Sequence, residues 1–221
     1  MRAKGSDGGY LALCYHYVRP DKKVDPFPRI LGNRLEDFHN HIEMIKERYQ
    51  IISLDEAHRF SYSDFELNHD RYGMLMTFDD GLSDHYGVAR TLAEHGIRAV
   101  FFIPTCIFKD GVPANPTIIH YCLAHFRIDG FLKAYRDALE DHDLRVDDFD
   151  ITFRRRQDDP WRTISEIKSR FKYDLGYRNS RSVLLHIYSN LFLRAFPDAM
   201  ELLHLQARHV VEMLEMGHSI G

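Results

Sequence analysis

The stretch Gly73-Met74-Leu75-Met76-Thr77-Phe78-Asp79-Asp80-Gly81 is almost wholly apolar up to Phe78 and then stops at two carboxylates and a glycine. A short apolar run closed by turn residues is the pattern of a strand buried on both faces, which occurs at the centre of a parallel sheet. Reading outward, 83–95 has the pattern of a helix stopped by Gly96, and Ala99-Val100-Phe101-Phe102-Ile103 is a further strand ended by Pro104. Strand, helix and strand within about thirty residues make a crossover, and a crossover implies parallel pairing.

Toward the amino terminus, Tyr10-Leu11-Ala12-Leu13-Cys14-Tyr15 follows Gly8-Gly9 and predicts a buried strand that delivers His16 at its carboxyl end. Apolar residues at Leu35, Phe38, Ile42, Ile45 and Tyr49 fall on one helix face, with Asn33 as the expected cap. Ser53-Leu54-Asp55-Glu56 has the form of a capping box and opens a second, shorter helix. Alternating strands and helices predict an α/β fold whose active site lies at the carboxyl ends of its strands, where His16 and the Asp79-Asp80 pair both fall.

The alternation lapses over 105–197, where amphipathic stretches at 115–126, 131–142 and 182–196 read as a helical insertion, a cap or lid. A last helix is expected over 199–216, and His218-Ser219-Ile220-Gly221 reads as a fresh strand. The reading is therefore 1–104 as the first part of a barrel, 105–197 as the insertion and 198–221 as the barrel resuming. Without the insertion the chain is about half the length of a closed eight-unit βα barrel.

The 221 residues are 44% hydrophobic and 28% charged, as in ordinary folded proteins. A formal net charge of −4 gives no basic footprint for nucleic acid. No apolar run approaches the length of a membrane span and the start lacks a signal-peptide core, so a cytoplasmic location is expected. Cys14, Cys106 and Cys122 are odd in number and widely spaced, which predicts buried free thiols.

Adjacent carboxylates at a strand end raise each other's pKa, so the pair suits one carboxylate on a cation and its neighbour free as a base. An ordinary turn, with Asp80 solvated, is the simpler alternative. Thr77-Phe78-Asp79-Asp80-Gly81 resembles the first motif of the NodB-homology polysaccharide deacetylases, carbohydrate esterase family four. Ala99-Val100-Phe101-Phe102-Ile103-Pro104 and Glu215-Met216-Gly217-His218-Ser219-Ile220-Gly221 resemble that family's following strand and the lead-in to its second motif. Tyr15-His16-Tyr17-Val18-Arg19-Pro20 and Tyr49-Gln50-Ile51-Ile52-Ser53-Leu54 resemble a branch associated with bacterial surface-polysaccharide synthesis, some of whose members carry a long insertion.

The resemblance implies a partial or distorted (β/α) barrel of the NodB type and metal-dependent hydrolysis of an N-acyl group from an amino sugar. It makes Asp79 the base that activates water, Asp80 a ligand to a divalent metal such as zinc, and His16 the acid that protonates the leaving amine. The implied substrate is a nucleotide-linked, lipid-linked or oligosaccharide amino sugar, with a homo-oligomer through the insertion as a possible assembly. The family completes its metal site with two histidines of a second motif. His218 matches neither, so the chain is expected to stop short of them and to be catalytically incomplete. His120 with His125 and His204 with His209 stand five residues apart, about 140° around a helix, and do not replace them.

Arg154, Arg155 and Arg156 could clamp an anionic substrate group, although a solvated basic run beside Asp158 and Asp159 is the simpler reading. Trp161 and the aromatics over 171–188 could stack on a sugar ring, although a place in the core is the simpler reading. The alternative from another class is a non-catalytic sugar-binding or scaffold protein with a degenerate deacetylase fold.

Overall fold

In the computed structural model, which describes residues 9–62, 65–67, 70–155 and 157–221, Gly73–Phe78 is a strand buried at every position. The elements in chain order are β1 (Tyr10–Tyr15), β2 (Val18–Arg19), β3 (Asn33–Arg34), α1 (Leu35–Arg48), β4 (Gln50–Ile52), α2 (Leu54–Ser61), β5 (Gly73–Phe78), α3 (Asp84–Glu94), β6 (Val100–Phe101) and α4 (Cys106–Lys109). There follow α5 (Asn115–Asp141), α6 (Val146–Phe149), α7 (Pro160–Ser169), α8 (Gly176–Ile187), α9 (Leu193–Ala195), α10 (Ala199–Leu203), α11 (Ala207–Glu215) and β7 (Ser219–Ile220). The described residues divide into two compact units, one formed by those within 9–26, 31–112 and 201–221, the other by those within 27–30 and 113–200.

The first unit is an α/β layer built on β5. β1 pairs in parallel along the whole of β5, from Tyr10↔Gly73 to Tyr15↔Phe78. β4 and β6 share its other edge, and β7 adds beyond β6. The described strands form an open parallel sheet, beside which β2 and β3 make a separate pair.

Side-chain alternation gives this sheet two unlike faces. Met74, Met76 and Phe78 point into a core shared with Phe38 and Ile42 of α1, Val88 and Leu92 of α3 and Met213 of α11. Phe78 stacks on Tyr15 and on Phe101, with ring centroids 5.2 Å and 4.8 Å apart, so one aromatic row crosses three strands just before they end. On the other face, Leu75 packs with Ile52, Ala57, Leu67 and Val100.

Several local expectations hold and others need correction. The capping box of Ser53 and Glu56 is formed, and Gly96, at φ 69°, ends α3. Asn33 does not cap α1: it pairs with Val18 in β3, and Arg34 takes the cap position without a side-chain hydrogen bond. The helix expected over 199–216 is broken between α10 and α11, because His204 bridges to Leu82 and the Leu205 N–H donates to the Gly81 carbonyl at 3.0 Å. Trp161 is exposed rather than core, since it sits in the first turn of α7 beside the Asp159 cap, its backbone N–H donating to Asp159 Oδ1 at 3.0 Å; of the aromatics over 171–188, Phe171 and Tyr188 are buried whereas Tyr173 and Tyr177 are exposed.

In the second unit α5 kinks at Arg127 (φ 63°, ψ 179°), and α8 runs into a π-helical turn over Tyr188–Phe192. Phe27, Tyr121 and Phe192 form its aromatic centre, Phe27 meeting Tyr121 edge-on at 4.9 Å. No helix of the described residues is long and apolar enough to cross a membrane.

A buried ion network ties the first unit together ahead of the site. Arg19, 2% exposed, places Nη2 2.5 Å from Asp25 Oδ1 and Nη1 2.5 Å from Asp84 Oδ2, and Arg34 reaches Asp25 at 3.0 Å. This joins β2, the loop after it, β3 and the first turn of α3. Removing one partner of a buried pair leaves the others uncompensated, at a cost of about 3–5 kcal/mol. Arg19→Met is therefore expected to lower the unfolding free energy by about that amount in urea titrations. Arg19→Lys should recover little of it, because an ammonium cannot fork to two carboxylates.

Candidate functional site

The row after the aromatic ladder carries the polar groups. The Asp79 N–H donates to the Tyr15 carbonyl at 3.0 Å, so the turn after β5 starts level with the end of β1. Cys14 and His16, two residues apart, share a face, and the register Cys14↔Thr77 sets them beside Asp79. Cys14 Sγ donates to Asp79 Oδ2 at 3.2 Å, His16 Nδ1 lies 3.8 Å from Sγ, and His16 Nε2 lies 3.8 Å from Asp79 Oδ2. The structure thus brings together His16 and Asp79, with Asp80 following at φ 76°.

Burial raises the Asp80 carboxyl above its ordinary range; His16 partly offsets this and Asp79 adds to it. Burial, and then the hydrogen bond and charge of Asp79, push the Cys14 thiol up. Cys14 is nonetheless exposed, which corrects the expectation of three buried thiols; Cys122 alone of the three is buried. The reason is positional, since β1 pairs along a single edge and Cys14 belongs to neither core cluster of this unit.

The turn is held from two further sides. Gly81, at φ 55°, has no room for a side chain: a Cβ there would meet Ile103 Cγ2 at 2.7 Å. The Gly81 carbonyl accepts from His204 Nδ1 at 3.2 Å as well as from Leu205, and Ser83 donates through N to Leu203 O at 2.9 Å and through Oγ to Leu202 O at 2.7 Å. His85, fully buried, donates from Nε2 to the His16 carbonyl at 2.6 Å and so fixes the backbone that carries the His16 ring.

Sequence reasoning missed Cys14, His85 and His204 as parts of this arrangement. The first was legible in principle, because position 14 lies on the face of position 16. The other two depend on tertiary contacts that no local pattern encodes. His218 is buried and structural: Nε2 donates to Ala89 O at 2.9 Å, and Nδ1 accepts from the Ala99 N–H at 3.1 Å.

Among the described residues, two groups of three donors could hold a metal ion: Cys14, His16 and Asp79 in the first unit, and Asp141, His142 and His186 in the second. Asp80 belongs to neither. A groove of 620 Å³ opens beside β1, lined by His16, Cys14, Tyr17, His41, Met44 and Tyr49 among others. Arg154 and Arg155 lie in the second unit, each ion-paired, with Asp158 and Asp129 respectively; Arg156 lies outside the described residues.

No protein-family profile matches the sequence, and no curated protein does. Among solved structures, the chain is similar to a de-N-acetylase from Aggregatibacter actinomycetemcomitans, at 22% identity over 42% of this chain and 37% of that one, with a TM-score of 0.36. It is also similar to the Streptococcus pyogenes deacetylase PplD in complex with acetate, at 18% identity over 48% of this chain and 46% of that one, with a TM-score of 0.35. The chain spans less than half the length of each.

Two outcomes follow from this geometry. Burial holds His85 and His204 neutral, with pKa values lowered from 6.5 to about 4. The unfolded chain therefore binds these protons first, and stability is full above about pH 6.5 and falls as pH drops toward 4. Each group is expected to contribute up to about 3 kcal/mol to that loss, read from urea midpoints across the interval. A midpoint that stays flat between pH 7 and 4 would contradict it. Gly81→Ala, which meets both the positive φ and Ile103, is expected to destabilise the chain by about 2 kcal/mol or more.

Proposed function

We propose that this chain carries the base and the acid of a hydrolase that removes an N-acyl group, acetyl in the first instance, from an amino sugar used in surface-polysaccharide synthesis. The observation that supports this reading is the meeting of His16 and Asp79 at the carboxyl ends of adjacent parallel strands, 3.8 Å apart, within the Thr77–Gly81 sequence. That spacing is too long for a direct hydrogen bond, so the two groups do not pair with each other.

In this reading Asp79 accepts a proton from water as the water oxygen attacks the acyl carbon. The tetrahedral adduct collapses when His16, protonated, donates to the sugar nitrogen and the C–N bond breaks. The products are a carboxylic acid, which loses its proton to solvent, and a free amine. The proton taken by Asp79 and the one given by His16 balance over the cycle. His85 acts as a positioning residue through the His16 carbonyl.

The resemblance assigns Asp80 to a divalent cation, zinc in the first instance. A catalytic zinc takes about three protein ligands. The described residues supply Asp80 as one of them, and neither three-donor group includes it. The chemistry derived for this chain is therefore that of Asp79 and His16.

The test is acetate release from N-acetylated amino-sugar oligomers and nucleotide-linked amino sugars by the full-length protein. Asp79→Asn and His16→Ala are each expected to lower kcat by about 100-fold or more with little change in KM. Asp80→Asn should reduce metal content as well as turnover. Turnover that survives either the Asp79 or the His16 substitution would overturn the assignment.

A further inference from the structure

Cys14 has no part in the chemistry just described, yet it sits within it. Three donor atoms of different kinds, a thiol sulfur, an imidazole nitrogen and a carboxylate oxygen, lie within 4.8 Å of one another on Cys14, His16 and Asp79. We propose that these three side chains form a binding site for a thiophilic divalent cation of the zinc type, separate from any cation held by Asp80.

The distances carry the argument. With zinc–sulfur bonds of about 2.3 Å and zinc–nitrogen or zinc–oxygen bonds of about 2.0–2.2 Å, tetrahedral coordination sets sulfur about 3.6 Å from the other two donors and nitrogen about 3.4 Å from oxygen. Cys14 Sγ lies 3.2 Å from Asp79 Oδ2, and the His16 ring, which offers one nitrogen to an ion, has Nδ1 3.8 Å from Sγ and Nε2 3.8 Å from Oδ2. For the nitrogen that binds, two of the three separations lie within about half an ångström of the required values, and the third lies within 4.8 Å. The backbone is already fixed to hold them there: β1 and β5 are paired in register, and the His16 carbonyl is anchored by His85.

Donor chemistry selects the cation. A thiolate with an imidazole and one carboxylate suits zinc and its spectroscopic substitute cobalt, and does not suit calcium or magnesium, which take oxygen ligands. Three protein ligands leave a fourth position open, and the exposure of Cys14 and His16 gives the ion access. On binding, the thiol proton that joins Sγ to Asp79 Oδ2 leaves to solvent and the cation takes its place between the two atoms. The bound ion would also occupy the oxygen and the imidazole used by the proposed deacetylation. Only that consequence rests on the deacetylase reading; the binding does not.

The experiment is a titration of the 221-residue chain with Co²⁺, followed by the thiolate-to-cobalt charge-transfer absorption in the near ultraviolet, with Zn²⁺ added as competitor. One equivalent should produce the band and zinc should remove it. Cys14→Ser, nearly isosteric and at an exposed position, should abolish the band, and Cys106→Ser should leave it. His16→Ala and Asp79→Asn should each weaken binding more than the roughly tenfold that follows loss of a group that merely orients a ligand. Asp80→Asn should leave the band unchanged. Cobalt on Asp141, His142 and His186 would be silent in this readout, because that group contains no thiol. Absence of the band, its persistence in Cys14→Ser, unchanged affinity in both His16→Ala and Asp79→Asn, or its loss in Asp80→Asn would each overturn the proposal. The readout needs no turnover, so an inactive protein that still shows the Cys14-dependent band would count against the deacetylase reading alone.

Discussion

The Asp79 N–H donates to the Tyr15 carbonyl at 3.0 Å, at the last rung of the in-register parallel pairing between β1 and β5. Everything at the site depends on that rung. Side chains alternate along a strand, so a slip of one residue would send Cys14 and His16 to the face packed against α1 and α3 and bring Tyr15 to the opposite one. The register is specified by what lies on the covered side. Tyr15, Phe78 and Phe101 stack there in one row against Phe38, and a slipped strand would lose that burial.

The turn at 79–85 is unfavourable for an isolated chain and is held by its surroundings. Asp80 and Gly81 both have positive φ, and Gly81 lies against Ile103. The segment 202–205 hydrogen-bonds to Gly81 and Ser83, and Arg19 anchors Asp84 at the start of α3. Strain of this kind persists only where neighbouring contacts over-determine it, and such places tend to be functional. Two neutral, fully buried histidines, His85 and His204, belong to the same support. The fold therefore spends stability at this turn, and the acid sensitivity expected of the chain follows from how the turn is held.

The sequence was informative wherever physics is local. The apolar run to Phe78, the Gly96 stop, the capping box at Ser53 and the strand ending at Tyr15 are each decided by neighbours in the chain, and each stands where it was read. The meeting of His16 with Asp79 was legible because strand ends in a parallel sheet share one edge. What escaped is long-range. The break at 204–206 follows from a bridge between His204 and Leu82, and Asn33 is drawn from capping into pairing with Val18. Cys14 looked like a core residue because an apolar strand was read as covered on both sides, whereas β1 exposes most of its length among the described residues.

The register claim can be checked by covalent capture. Cys14 and position 77 are direct neighbours across β1 and β5, and adjacent strands lie about 4.8 Å apart, within the range that a disulfide spans. Thr77→Cys is expected to cross-link to Cys14 under mild oxidation, read by mass spectrometry of peptides. Met76→Cys, one residue earlier and on the opposite face, should leave Cys14 reduced. Failure of the first to cross-link, or an equal yield from the second, would mean that β1 and β5 are not paired as described, and that His16 and Asp79 do not meet.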